Sequence, residues 1–175
     1  MIEYLRLAFG TALVLLPGFA LGRSMSEVVA WTTGTLFAVW AIVFTVHSNI
    51  KLAALLLLVS FIAALWVRRR VPGARRVPGT AVVLGTVLGW FLWHTAGAVV
   101  GDGLFHEGRV RKLVQFGDLH LRTVDEFRDG GLHPGYAFPL WHGLDALVAW
   151  FSGLDPSVVM RHEGCLLYTS PSPRD

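Results

Sequence analysis

Four long stretches of the chain carry no Asp, Glu, Lys or Arg: Leu7 to Gly22, Val28 to Ile50, Leu52 to Val67 and Val77 to Gly101. At about 1.5 Å of rise per residue, a helix through each would cross most or all of a hydrocarbon layer ~30 Å thick. Arg6, Lys51 and Arg68 stand at the ends of the two shorter runs, where their long stems reach the interface and lengthen the usable span. Within the runs the apolar residues follow no 3.6-residue stripe, which is the pattern of a segment surrounded by lipid and by other helices. The chain is therefore expected to be all-α, a multi-pass transmembrane helical bundle with crossings at about 5–22, 28–47, 51–67 and 78–100. Gly85 and Gly89, four apart in the last of these, have the spacing that lets a neighbouring backbone approach closely, although ordinary membrane-helix glycine content accounts for them equally well.

Composition agrees: of 175 residues, 54% are apolar and only 15% charged, outside the range of an ordinary soluble domain. The net charge of +3 is a local property. Arg68, Arg69, Arg70, Arg75 and Arg76 crowd one short connection punctuated by Pro72, Gly73 and Pro78, and the rest of the chain is net negative. Such a run between two hydrophobic helices reads as a topology signal and not as a nucleic-acid site, so no nucleic-acid partner is expected. It assigns 68–78 to the cytoplasm and 101–135 to the extracytoplasmic side. Counting backward puts the amino terminus outside too. Arg6 sits poorly with that orientation, which leaves two explanations: a first run kinked at Pro17 and Gly18 that does not cross fully, or preceding sequence that is absent. The first run also lacks the charged leader and cleavage site of a signal peptide, so it counts as structure. Trp31, Trp40, Trp66, Trp90, Trp93, Trp141 and Trp150 supply aromatic residues suited to membrane interfaces.

After Val100 the pattern changes abruptly. Six acidic residues, five basic residues and three histidines fall between Gly101 and Gly135. A short amphipathic helix is expected at its start. If Gly101 to Leu113 is helical, 100° per residue puts Asp102, His106 and Arg109 on one face. Glu107 and Arg111 occupy the opposite face as an i,i+4 pair in the favourable order. A carboxylate, an imidazole and a guanidinium on one surface at a membrane boundary can bind a phosphate and accept a proton. A hydrated helix held at the headgroups by its charges is the competing reading. From Thr123 to His142, glycines and prolines force turns, and Tyr136, Phe138 and Trp141 are able to stack on a sugar face or bury beneath the loop. The seven histidines show no metal-ligand spacing, so a site built from His106, His120 and His133 has little to recommend it. A further membrane-associated or spanning helix is expected within 136–164. His142 and Asp145 interrupt it, and Asp145 must face protein or water.

Residues 165–175 read CLLYTSPSPRD and continue none of the preceding patterns. They resemble translated sequencing-adaptor sequence, which implies a non-native tail and a native chain interrupted after about Gly164; a disordered terminus suits the same composition. Cys165, the only cysteine, lies inside this stretch and carries no inference about disulfides or redox compartment.

One family resemblance emerges from these words. The order of polytopic helices, then Gly-Asp102-Gly-Leu-Phe-His106-Glu-Gly-Arg109-Val-Arg111-Lys112-Leu, then Pro134-Gly-Tyr136-Ala-Phe138-Pro-Leu-Trp141-His142, resembles bacterial membrane glycosyltransferases of the C superfamily. Leu16-Pro17-Gly18-Phe19-Ala20 looks like the first helix of multi-pass proteins from the same neighbourhood. The resemblance implies an N-terminal fragment of an enzyme of the bacterial plasma membrane that takes a sugar from a polyprenyl-phosphate carrier to an envelope acceptor. It implies Asp102 as the catalytic residue in the first large extracytoplasmic loop, with His106, Arg109, Arg111 and Lys112 binding the donor. Those cations, or a divalent metal ion, would offset charge on the leaving phosphate. The alternative is a non-enzymatic polytopic protein, a transporter or an assembly partner of an envelope-polysaccharide system, in which His94 and Asp145 would line a translocation path.

Overall fold

The computed structural model describes residues 1–70, 79–95, 99, 102–116, 119 and 140–167. Among them are seven helices and no strand: α1 (Ile2–Leu21), α2 (Met25–Thr45), α3 (Ile50–Arg70), α4 (Gly79–Thr95), α5 (Asp102–Gln115), α6 (Leu140–Ser152) and α7 (Pro156–Leu167). Three of them, α1, α2 and α3, are long and apolar enough to cross a membrane. The fourth apolar run is described as helix over the 17 residues of α4, and the residues on either side of it fall outside the described ones. The histidine-interrupted segment that follows the polar loop forms two short helices, divided by Gly153 in the left-handed region and by the Asp155-Pro156 step.

Local sequence explains where the helices turn. Gly22 ends α1, and Ser24 caps α2 by accepting a hydrogen bond from the Glu27 N–H. The Glu27 carboxylate reaches back to the Arg23 N–H at 2.8 Å, so the acid at the third helical position fills a second open donor. At the other end of α2, His47 takes a left-handed conformation (φ 52°) and the Ser48 N–H bonds back to the Val43 carbonyl. That six-to-one bond closes the helix in a Schellman turn. Asn49 then starts α3, its side chain accepting from the Lys51 N–H.

The helix α1 lies at the centre, packed on α2, α3 and α6. It runs unbroken through Pro17 and Gly18. Instead of marking a break, Gly18 marks a close approach: a Cβ there would lie 2.5 Å from the Val28 carbonyl oxygen and would overlap the Thr32 hydroxyl. Gly10 does the same toward α6, where a Cβ would lie 2.8 Å from the Val148 carbonyl oxygen. Small residues thus let α1 touch α2 on one side and α6 on another, the arrangement that drives helix association where lipid competes with every apolar contact. The surroundings of Gly85 and Gly89 fall outside the described residues.

Leu7, Val14, Leu36, Val39, Trp40, Val43, Leu57, Leu147 and Val148 form the shared core. Large apolar side chains such as Phe9, Phe37, Leu58 and Ile62 are more than half exposed on the outside of the same helices. So wide an apolar surface is stable only against lipid. Unlike these helices, α6 is almost wholly enclosed, with every residue from His142 to Ala149 buried. Arg6 holds its far end, donating from Nε to the Ser152 carbonyl at 2.8 Å and from Nη2 to the Gly153 carbonyl at 2.5 Å. A cation at the negative end of a helix satisfies carbonyls that would otherwise lack donors.

Opposite ends of the three crossings are chemically distinct. The Leu119 N–H bonds to the Ser48 carbonyl at 2.6 Å, so the segment after α5 reaches the α2–α3 turn. Arg23 and Arg68 meet at the other end, where α1, α2 and α3 enclose a common cavity. Leu119 and the arginine-bearing end of α3 therefore lie at opposite ends of the bundle.

Candidate functional site between α5 and α6

The sequence from Asp102 to Gln115 is helical, and its two polar faces go to different neighbours. Val110 and Leu113 are fully buried and seat the helix. Arg109 is fully buried as well, with its guanidinium carbon 5.7 Å from the centre of the Phe105 ring, one turn earlier. At that separation the ring face attracts the cation. His106 sits on the same side and meets His142 of α6: Nδ1 of the first lies 2.9 Å from Nε2 of the second, and the rings stack with centroids 5.1 Å apart. One nitrogen donates and the other accepts, so the two imidazoles cannot both be fully protonated in this arrangement.

Asp145 lies one turn beyond His142 on α6 and is only 1% exposed. Among the described residues, neither of its carboxylate oxygens has a hydrogen-bond partner, and neither does Nδ1 of His142. Buried polar atoms are usually satisfied, and those left open gather where a protein does chemistry or binds something. Two of the residues expected in the site, His106 and Arg109, are thereby brought together with two others, His142 and Asp145, that the sequence marked only as interruptions of an apolar segment. Their i,i+3 spacing was the available signal, since it puts both on one helix face.

The opposite face of α5 is a structural lock. Arg111 makes a 2.9 Å bond to Glu107 and grips both oxygens of Asp155, at 2.8 and 2.9 Å. Asp155 also accepts from the Ser157 N–H, capping α7 just ahead of Pro156 at its first position. The hydrogen bonds from Arg111, followed by those from Ser157, hold the Asp155 carboxyl well below the usual carboxylate range. Those two carboxylates raise the Arg111 guanidinium in turn. Arg111 therefore ties α5 to the α6–α7 turn. Lys112 is half-buried beside it. Asp102 forms the first residue of α5, while its side chain, like His120, His133 and the loop aromatics Tyr136 and Phe138, falls outside the described residues.

Elsewhere, His94 is exposed, packs edge-on against Trp90, and pairs through Nδ1 with the Trp90 carbonyl one turn earlier. Among the described residues no three of His, Cys, Asp and Glu converge so as to hold a metal ion. Between α1, α2 and the start of α6 lies an apolar cavity of about 350 Å³, lined by Thr11, Thr32, Leu36, Trp141 and Leu144 among others.

Fold and site together define an all-α integral membrane protein with a polar cluster enclosed between two short helices. Searched against family models, curated proteins and solved structures, the chain finds no match.

Proposed function

We propose that this chain belongs to a glycosyltransferase of the bacterial plasma membrane that moves a sugar from a polyprenyl-phosphate donor to an envelope acceptor on the extracytoplasmic side. The supporting observation is the docking of α5. Its first residue, Asp102, follows the apolar α4 closely, and its His106 and Arg109 face is packed against α6. An acidic residue in that place belongs to an anchored helix, as a group that must meet a hydroxyl within hydrogen-bond reach requires. In this reading Asp102 takes the proton of the acceptor hydroxyl as the anomeric carbon loses its phosphate-lipid leaving group. Arg109 and Lys112 lie on the same helix to offset the charge left on the phosphate, with Arg111 behind them or a divalent ion among them. The apolar cavity beside α6 is of a size to take part of a lipid tail.

The test is transfer of radiolabelled sugar from polyprenyl-phosphate donors in membrane vesicles bearing the protein. Asp102→Asn should abolish transfer while leaving insertion and protease resistance unchanged. Undiminished transfer in that variant eliminates the assigned base.

One observation favours a second reading. His106, His142 and Asp145 form a titratable row inside the bundle, and ionisable groups so placed commonly mark ion or proton paths. A transporter or assembly partner of an envelope-polysaccharide system would lose flux on Asp145→Asn and show no sugar transfer in the wild-type protein.

A further inference from the structure

At the end of the bundle away from α5, the turn between α1 and α2 faces the last turns of α3 across a cavity of about 310 Å³. Its lining is of two kinds. Ala20, Leu21 and Val67 contribute apolar lining, and Arg23, Arg68, Trp31 and Glu27 complete it. Because the walls are the ends of three membrane-crossing helices, the cavity lies at the depth where lipid headgroups meet the acyl region. Trp31, half exposed, is the residue type that settles at that depth.

The charges there are asymmetric. Among the described residues, neither the Arg23 nor the Arg68 guanidinium is paired with a carboxylate. Glu27, the one acid in the lining, is turned to the α2 terminus, where it accepts from the Arg23 backbone N–H. That bond engages the Glu27 carboxylate at the helix terminus and leaves both guanidiniums available to a ligand. A guanidinium fork matches the oxygens of a phosphate in two-point contact, and two forks from different helices define a site more sharply than charge density alone.

We infer that this cavity binds the phosphate headgroup of an anionic phospholipid, with Arg23 and Arg68 on the phosphate and the proximal acyl chain over Leu21 and Val67. The site is independent of the proposed transfer reaction. It clamps the α1–α2 turn to the end of α3 from the lipid side. Arg69, the next residue on α3, is exposed, lies outside the cavity lining and takes no part.

The experiment measures lipid retention by native mass spectrometry on the detergent-purified chain, with phosphatidylglycerol and phosphatidylcholine offered at equal concentration. A juxtamembrane arginine contributes ~1 kcal/mol toward an anionic headgroup, or about fivefold per residue. Phosphatidylglycerol should therefore be retained at least fivefold over phosphatidylcholine, and Arg68→Gln should cut that preference about fivefold. Arg23→Gln should do the same, whereas Arg69→Gln should leave it unchanged. Inorganic phosphate at the same concentration should not displace the lipid, since it lacks the chain that covers the apolar lining. Equal retention of the two lipids by the wild-type protein overturns the proposal whatever the variants do. So does an Arg69→Gln loss as large as that of Arg68→Gln, which would show diffuse charge and no site. Displacement by inorganic phosphate would reassign the cavity to a free anion.

Discussion

Gly143 sits under the indole of Trp40, and the pair offers a sharp test of how tightly α6 is held by α2. A Cβ at Gly143 would lie 2.5 Å from Cε2 and 2.8 Å from Cδ1 of Trp40, and nearer still to Nε1. The indole has no easy retreat: it is fully buried and lies against Phe44, with ring centres 5.6 Å apart. In an uncrowded helix interior, Gly→Ala is stabilising by ~1 kcal/mol. Overpacking of this kind costs ~1–3 kcal/mol, so after the propensity gain Gly143→Ala should come out destabilised by up to about 2 kcal/mol. Gly34 in α2 supplies the control. Nothing lies within 4 Å of a Cβ placed there, and Gly34→Ala should be neutral or stabilising by up to ~1 kcal/mol. Trp40→Leu removes Nε1 and Cε2, the two ring atoms nearest that Cβ, and because Nε1 of Trp40 makes no hydrogen bond among the described residues, the change forfeits none. Combined with Gly143→Ala it should recover ~1 kcal/mol or more relative to the sum of the single changes. Denaturation in mixed micelles, followed by circular dichroism, reads all four variants. Stabilisation by Gly143→Ala, or strict additivity with Trp40→Leu, would show that α6 does not approach α2 this closely.

Removing Asp145 should help the fold. A buried carboxyl with no hydrogen-bond partner among the described residues costs energy, and Asp145→Asn should raise stability by ~1 kcal/mol at neutral pH in the same micelle assay; a loss of that size would mean the carboxyl is held by a favourable interaction. For the Arg111–Asp155 pair the pH dependence has a definite sign. The Asp155 carboxyl is depressed in the folded protein, so its contribution is complete above the ordinary carboxylate value and is lost as pH falls through the lower folded value. Both side chains are partly exposed, at 37% and 49%, so Asp155→Asn should cost no more than ~1 kcal/mol at pH 7. The difference from wild type should shrink in strong acid and in high salt; a difference that grew as pH fell would contradict the pairing.

The positions of the long helices were legible because charged residues bracket them, and crossing a bilayer leaves little freedom in length. Which faces pack was not legible, since α1 to α3 are apolar all round and carry no stripe to point inward. Glycine spacing drew attention to Gly85 and Gly89, yet among the described residues Gly10, Gly18 and Gly143 are the helix-interior glycines that sit close against another helix. Those depend on which helix lies opposite, and pairing between helices far apart in sequence leaves no local trace. The same limit applied to the polar cluster. Helical geometry placed His106 and Arg109 on one face, but nothing near them in sequence announced that His142, 36 residues later, would complete it. Glu107 and Arg111, a local pair, were read directly and form the expected ion pair at 2.9 Å.

The Arg6 clamp on the end of α6 constrains the order in which this molecule can be made. Arg6 leaves the ribosome well ahead of its acceptor Ser152, which follows 146 residues later. Through that interval the arginine must be served by water or lipid phosphates, while α1 to α3 assemble as a receptacle. A free α6 would carry His142 and Asp145 into lipid at considerable cost, so its entry awaits that receptacle. Completion of the α1 contacts is thus a late event in biogenesis, and a chain released before Ser152 would leave the insertion machinery with Arg6 still unsatisfied.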